Sequence, residues 1–362
     1  MSNEQKYLSE SEFDALVREL IASGKRVVAP VAAEDDLEPQ ADYRAVSDPA
    51  KIVLDGPLPR RSLKEFFLPA TEALLRWRLK KGDVALDETE ADYPETVVVG
   101  ASPCDAAALP TVDRVMDWDY RDEPWFGRRE ATVVISRACP GRDSSCFCPV
   151  VGLAPDSTRG ADVMLYPSGE DAGGYLVEVI TERGAALVAA HSKHFQAPRE
   201  PAGVARLREE ARARVDGNSS ARPDEIRRWL DKNFEHELWD RLAERCHGCG
   251  ACAAVCPTCH CFDIVDEPEG GDSGTRRRNW DTCQAAVFTL HGSGHNPRET
   301  QNARFRQRVL HKFAIYPERF GEILCTGCGR CVRACPGGMD LPEILEELGR
   351  LATSSQSAGG TP

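Results

Sequence analysis

The sequence predicts an α+β protein: an N-terminal α/β domain with parallel strands, followed by a second domain built chiefly from helices. Three observations predict it. β-Branched runs flank a helical segment between Thr96 and Ile135, an apolar residue recurs every four positions from Ile226 to Leu242, and one cysteine spacing, CxxCxxCxxxCP, occurs twice beyond residue 245. Strands that alternate with helices build parallel sheets, whereas a period near 3.6 marks a helix with one packed face. At 362 residues the chain is long enough for two domains.

Residues 9 to 22 read as an amphipathic helix, with Phe13, Leu16, Val17, Leu20 and Ile21 on the core face. Short strands are expected at Arg26 to Pro30 and Lys51 to Leu54, then a helix from Leu63 to Leu79. Thr96 to Val99 is a strand ending in Gly100, Asp105 to Met116 a helix, and Thr132 to Ile135 the next strand. A right-handed unit of this kind puts the residues after both strands at one edge of the sheet. Cys104 follows the first strand, and Cys139, Cys146 and Cys148 follow the second. Four thiols gathered there suit a third 4Fe-4S cluster, a zinc ion or ordinary buried cysteines. Strands at Asp162 to Tyr166 and Tyr175 to Thr181 close the domain, giving residues 1–195; 196–222 read as a surface connector, partly helical.

A helix starts at Pro223 with Asp224 and Glu225 in its first turn. Ile226, Leu230, Phe234, Leu238 and Leu242 form its packed face, and it runs directly to Cys246. A second helix, Arg298 to Phe313, carries Val309, Leu310 and Phe313 on one side and Arg304, Arg308 and Lys312 on a basic side read as solvated. The last helix opens with Asp340 and Glu343 in capping register. Residues 223–352 are thus a helical domain, and the Ser-, Gly- and Ala-rich residues 353–362 a disordered tail.

The repeated spacing gives the chemistry. Cys246, Cys249, Cys252 and Cys256 precede Pro257; Cys325, Cys328, Cys331 and Cys335 precede Pro336. Three thiolates at three-residue steps hold three corners of a cubane, and the fourth cysteine, before proline, ligates the partner cluster. One 4Fe-4S cluster is therefore assigned to Cys246, Cys249, Cys252 and Cys335, the other to Cys325, Cys328, Cys331 and Cys256, with iron the metal in each. Structural zinc needs only four soft ligands and leaves the third cysteine and the proline unexplained twice. The 68 residues between Cys256 and Cys325 exceed what a compact small ferredoxin needs, so helices rather than hairpins are expected to carry the clusters.

Cys259, Cys261 and Cys283 read as buried thiols, with spare ligation the alternative. Cys256, Cys259 and His260 formally match a haem-attachment motif, which the cluster role of Cys256 excludes. His291 and His295 read as loop residues and Arg276 to Arg278 as a solvated turn. A net charge of -13 argues against a nucleic-acid surface. The start MSNEQKYLSESEFDALV has no basic segment followed by an apolar run, and no stretch approaches a membrane span in length, so the many cysteines are expected to be metal ligands in a reducing cytoplasm.

The order PCD (Pro103 to Asp105), CFC (Cys146 to Cys148), YLVEVITERG (Tyr175 to Gly184), CPTCHCFD (Cys256 to Asp263), RRNWDTC (Arg277 to Cys283) and RFGEILCTGCGRC resembles two related proteins. They are the beta, iron-sulfur subunit of sulfhydrogenase-type NAD(P)-linked nickel-iron hydrogenases and the A subunit of anaerobic sulfite reductase. The resemblance implies a non-catalytic electron-transfer subunit. Its partners would be a flavoprotein NAD(P)H-binding subunit and the small and large subunits of a nickel-iron hydrogenase, or a sirohaem sulfite reductase subunit. It also favours a third cluster at Cys104, Cys139, Cys146 and Cys148. The sequence agrees in showing no Gly-rich dinucleotide loop, nucleophile constellation or paired carboxylates. A scaffold with structural clusters is the rival of a different class.

Overall fold

The computed structural model describes residues 4–33, 40–88, 92–141, 144–168, 173–198, 203–213 and 221–358. A seven-stranded sheet forms its N-terminal part. β1 (Gln5–Leu8) leads through α1 (Glu10–Ala22) to β2 (Arg26–Ala32) and β3 (Ala41–Ala45). After the short α2 (Lys64–Phe67) come β4 (Thr71–Lys80), β5 (Asp83–Glu88) and β6 (Thr96–Ala101). Then follow α3 (Pro103–Met116), α4 (Glu123–Glu130), β7 (Thr132–Arg137), β8 (Val163–Pro167), β9 (Tyr175–Val179) and α5 (Glu182–Ala190). The strand order is β1-β9-β8-β7-β6-β2-β3; β2, β6, β7 and β8 run parallel, and antiparallel pairs close both sides.

Alternation along β6 shows why the sheet is covered twice. Val97 and Val99 pack with Leu16 and Leu20 of α1 and Leu187 of α5, while Val98 and Ala101 face Leu109 of α3 and Trp125 of α4. Successive strand side chains point to opposite faces, so an apolar run buried on both sides is the mark of a parallel sheet under two helical layers. Ser9 caps α1 by accepting from Glu12 N, as its position before the amphipathic run requires.

Several expectations are corrected. Residues 63–79 are not one helix: α2 stops at Phe67 before Pro69, and Thr71–Lys80 is a strand. Lys51 to Leu54 is not a strand; a 3₁₀ turn, Pro49–Lys51, is followed by the single bridge Val31 to Ile52. Nor is the segment from 196 merely a surface connector. α6 (Gly203–Ala213) buries Val204, Leu207 and Ala211 against Met164 and Tyr166 of β8.

The expected helix from Pro223 to Leu242 is two, α7 (Pro223–Lys232) and α8 (Leu238–Ala243), with Phe234 exposed between them. Beyond the four-residue α9 (Ala251–Ala254) the chain leaves the helical plan. β10 (Phe262–Pro268) and β11 (Ser273–Trp280) form a hairpin, and β11 pairs with β4 to give a second sheet, β10-β11-β4-β5. Strands from both sides of the expected boundary at residues 195–223 therefore share one sheet. α10 (Gln301–Leu310), a π turn at His311–Ile315, α11 (Tyr316–Phe320), α12 (Arg330–Arg333) and α13 (Leu341–Ala358) complete the chain. α13 packs Leu341, Ile344, Leu345 and Leu348 against Ile226, Trp229 and Leu230 of α7. It continues through residues 353–358, which were expected to be disordered; 359–362 lie outside the described residues. Among the described residues no helix is long and apolar enough to cross a membrane.

Candidate metal centres

The crossover from β6 through α3 to β7 builds the first centre. Pro103 opens α3, so Cys104 stands in its first turn, and Cys139 leaves β7 at the same sheet edge, its N–H donating to Pro155 O at 2.9 Å. The following loop returns Cys146 and Cys148. All four cysteines line one recess, joined there by Gly327 and Cys328 of the second cysteine motif. Burial pushes the Cys148 thiol up to about 12, with Cys139 and Cys146 adding to the effect. Burial, then Asp105, raises Cys104 well above the ordinary thiol range. Thiols that discourage one another's ionisation become thiolates beside a metal cation, so this donor set fits an iron core.

The approach of the second motif depends on two glycines. Gly327 and Gly329 hold φ of +63° and +70°, where L side chains are strained. A Cβ on Gly327 would lie 2.5 Å from Cys148 Cα, and one on Gly329 would lie 2.4 Å from Ser145 O. Phe147 N donates to Gly327 O at 2.8 Å across this contact.

A second recess is lined by Cys246, Cys249, Cys252 and Cys335, with Cys331 beside them. Phe305, Val309, Phe313 and Ile344 give it an apolar wall. Cys246 Sγ accepts from Gln301 Nε2 at 3.2 Å, and Cys335 Sγ accepts from Met339 N at 3.3 Å. Hydrogen bonds of this kind stabilise anionic sulfur.

The remaining four, Cys256, Cys325, Cys328 and Cys331, occupy the middle: Cys328 also lines the first recess and Cys331 the second. Cys256 and Cys328 are buried. Cys325 Sγ accepts from Gly327 N at 3.4 Å. Burial pushes Cys325 up to about 12 and Cys331 up to about 11, against the pull of Lys312 on the former and Arg308 on the latter. Among the described residues, no three His, Cys, Asp or Glu side chains converge as a single metal ion would require. The sulfurs of the first and last sets line recesses instead.

Sequence reasoning missed the charges at this centre. Arg308 and Lys312 were read as a solvated face, yet they are 6% and 3% exposed. Lys312 Nζ lies 3.5 Å from Cys256 Sγ, 3.2 Å from Thr258 Oγ1 and 3.0 Å from Leu324 O; Arg308 Nη1 lies 3.9 Å from Cys259 Sγ. The nearby Lys64 is 4% exposed, donates to Ala253 O and stacks over Trp280. A helical period tells which residues share a face, and nothing in it announces that the basic face meets sulfur.

Cys259 lies beside Cys256 and Cys261 beside Cys283, each thiol shifting its neighbour's ionisation. Neither Cys259, Cys261 nor Cys283 lines the two cysteine recesses. His291 and His295 lie exposed on a loop. Arg276 to Arg278 belong to β11 rather than a turn: Arg276 pairs with Asp266, Arg277 with Glu267, and buried Arg278 with Glu72 and Asp122.

Residues 245–339 match the 4Fe-4S dicluster domain family. The chain is 30% identical over 286 residues to the sulfhydrogenase 2 subunit beta of Pyrococcus furiosus, covering 79% of this chain and 82% of that one. It is also 32% identical over 114 residues to the F420-dependent formate dehydrogenase 1 subunit beta of Methanococcus maripaludis, covering 30% of this chain and 28% of that one. No solved structure matches it.

Proposed function

We propose, from the premise that this chain belongs to the sulfhydrogenase beta-subunit family, that it relays single electrons between an FAD- and NAD(P)H-binding flavoprotein subunit and a nickel-iron hydrogenase module. By its family and its dicluster domain this is an iron-sulfur electron-transfer subunit of the hydrogenase type carrying 4Fe-4S clusters. The chain carries three clusters in this relay. Cys104, Cys139, Cys146 and Cys148 hold one, Cys256, Cys325, Cys328 and Cys331 the second, and Cys246, Cys249, Cys252 and Cys335 the third. A four-iron cluster takes up and returns one electron without making or breaking a bond.

The observation that carries the relay is the shared lining: Cys328 borders the first recess and Cys331 the second, although the middle set owns both. Three donor sets that touch in series support conduction through the chain more than a scaffold would need. The residues between them keep the path dry and fixed. Phe305, Val309 and Phe313 exclude water, and Gly327 and Gly329 allow the first and middle sets to meet. We read residues 1–195 with α6 as the unit of the first cluster and 223–352 as that of the other two, in a cytoplasmic complex.

Anaerobic co-purification with metal and cofactor analysis tests this reading. The expected result is nickel and a flavoprotein with the chain, and about twelve irons on the chain itself, the content of three four-iron clusters. Sirohaem without nickel would replace the hydrogenase module by a sulfite reductase subunit. Clusters that no low-potential donor reduces would leave only a scaffold.

A further inference from the structure

The three donor sets differ in the charge around them. Beside the first, Arg330 is buried but its guanidinium is matched by the Asp105 carboxylate, at 2.8 and 2.6 Å. Beside the last, Gln284 and Gln301 bring neutral amides to Cys246, and Arg308 and Lys312 border the same recess. The middle set has a buried cation against its sulfur with no carboxylate beside it: Lys312 Nζ lies 3.5 Å from Cys256 Sγ. Lys312 has three hydrogen-bond donors, and its three acceptors are Leu324 O, Thr258 Oγ1 and Cys256 Sγ. Arg308 lies among Cys252, Cys256, Cys259 and Cys331. Among the described residues neither Lys312 nor Arg308 pairs with Asp or Glu.

A buried charge without a partner of opposite sign is costly, so such cations imply an anion at the site. Thiolate-bound iron-sulfur cores are anionic, and adding an electron makes them more so. A fixed positive charge a few ångströms away favours the reduced form.

We propose that Lys312, with Arg308, makes the middle cluster the most readily reduced of the three, so that an electron entering the chain rests there. Lys312 is a positioning residue for charge: it forms no bond with the electron and moves no proton. Its ammonium borders Cys256 and lies near Cys325, both of the middle set, whereas Arg308 stands between the middle and last sets. Lys312 therefore acts most strongly on the middle cluster, which it touches, and Arg308 on the middle and last together. The inference rests on the ligand sets proposed above.

The test is an anaerobic redox titration of the full chain followed by electron paramagnetic resonance, with iron counted in each preparation and dithionite as reductant. Cys256→Ser first identifies the signal of the middle cluster; if it leaves spectrum and iron unchanged, the ligand assignment has failed, independently of any charge effect. With the signal assigned, Lys312→Met and Lys312→Gln are expected to lower its reduced-to-oxidised ratio at fixed potential at least tenfold, a shift of about 59 mV for one electron. The signal of the first cluster stays in place, that of the last shifts less than the middle one, and Lys312→Arg restores the parental midpoint. Unchanged midpoints with full iron in the neutral variants would overturn the proposal. Loss of the middle cluster from both neutral variants, with its retention in Lys312→Arg, would also overturn it in favour of a role in cluster assembly.

Discussion

Arg330 and Asp105 form a two-pronged ion pair in which both side chains are buried, 1% and 0% exposed. Asp105 directly follows Cys104 in α3, and Arg330 lies between Cys328 and Cys331 in the second cysteine motif. The pair thus ties the seven-stranded sheet to the dicluster region at the point where two donor sets meet. Arg330 Nε also donates to Pro59 O at 2.8 Å, and Tyr43 Oη donates to Asp105 Oδ2 at 2.9 Å.

Removing one member leaves the other charge buried alone. Arg330→Met and Asp105→Asn are each expected to cost about 3–5 kcal/mol, whereas the double variant Asp105→Leu/Arg330→Met should cost less than the sum. Urea unfolding of the anaerobic protein, followed by tryptophan fluorescence, checks this.

Cysteine substitutions separate ligands from spectators. Cys104→Ser should remove about four irons, the content of one cluster. Cys261→Ser and Cys283→Ser should remove none, since these neighbouring thiols line neither recess. Iron analysis of the three variants decides it.

Gly327→Ala should be worse than an ordinary glycine substitution. The added Cβ meets both a positive φ and the Cys148 backbone 2.5 Å away. Gly321→Ala has similar strain, φ +74°, with nothing within 4 Å. Gly321→Ala should cost about 1 kcal/mol with full iron, consistent with the penalty for a left-handed residue. Gly327→Ala should cost more and lose the iron of the first cluster.

The N-terminal helix carries a pH dependence. His194 Nδ1 lies 2.6 Å from Glu12 Oε2 and Nε2 lies 2.8 Å from Glu19 Oε2, so two carboxylates of α1 face one imidazole. Burial opposes the charged ring, but Glu12 and Glu19 prevail and raise its pKa. A raised histidine stabilises below its unfolded value of about 6.5 and loses that contribution as pH rises through the folded value. Glu19 is lowered to about 2 by Lys193 and then His194, so its contribution is present above its unfolded value of about 4.3 and lost as pH falls toward 2. Stability of the N-terminal part should therefore fall as pH rises above about 6.5, and again as pH falls below about 4.3. Urea midpoints across that range, flatter on the alkaline side in His194→Gln, test it.

What could be read in advance were properties of short segments. Cysteines three residues apart, followed by proline, name a cluster whatever surrounds them, because the loop that holds three corners of a cubane is local. The paired strands Thr96–Ala101 and Thr132–Arg137 with α3 between them were legible for a similar reason, since a crossover of this kind has one favoured hand. Residues 71–80 were not. Their alternating Leu75, Trp77 and Leu79 belong to a strand only because β11, some 200 residues later in the chain, lies alongside.

The sequence by itself supplied the two cysteine motifs and the strand, helix and strand of the parallel unit. The tertiary structure decided what those donors face. Arg308 and Lys312 look like a solvated stripe in one dimension, and packing turns them onto sulfur, away from any carboxylate. Arg330, equally basic in the sequence, meets Asp105 from another part of the chain and is neutralised. Charge acts through distance in space, so which cation is compensated is settled when the chain folds and not before.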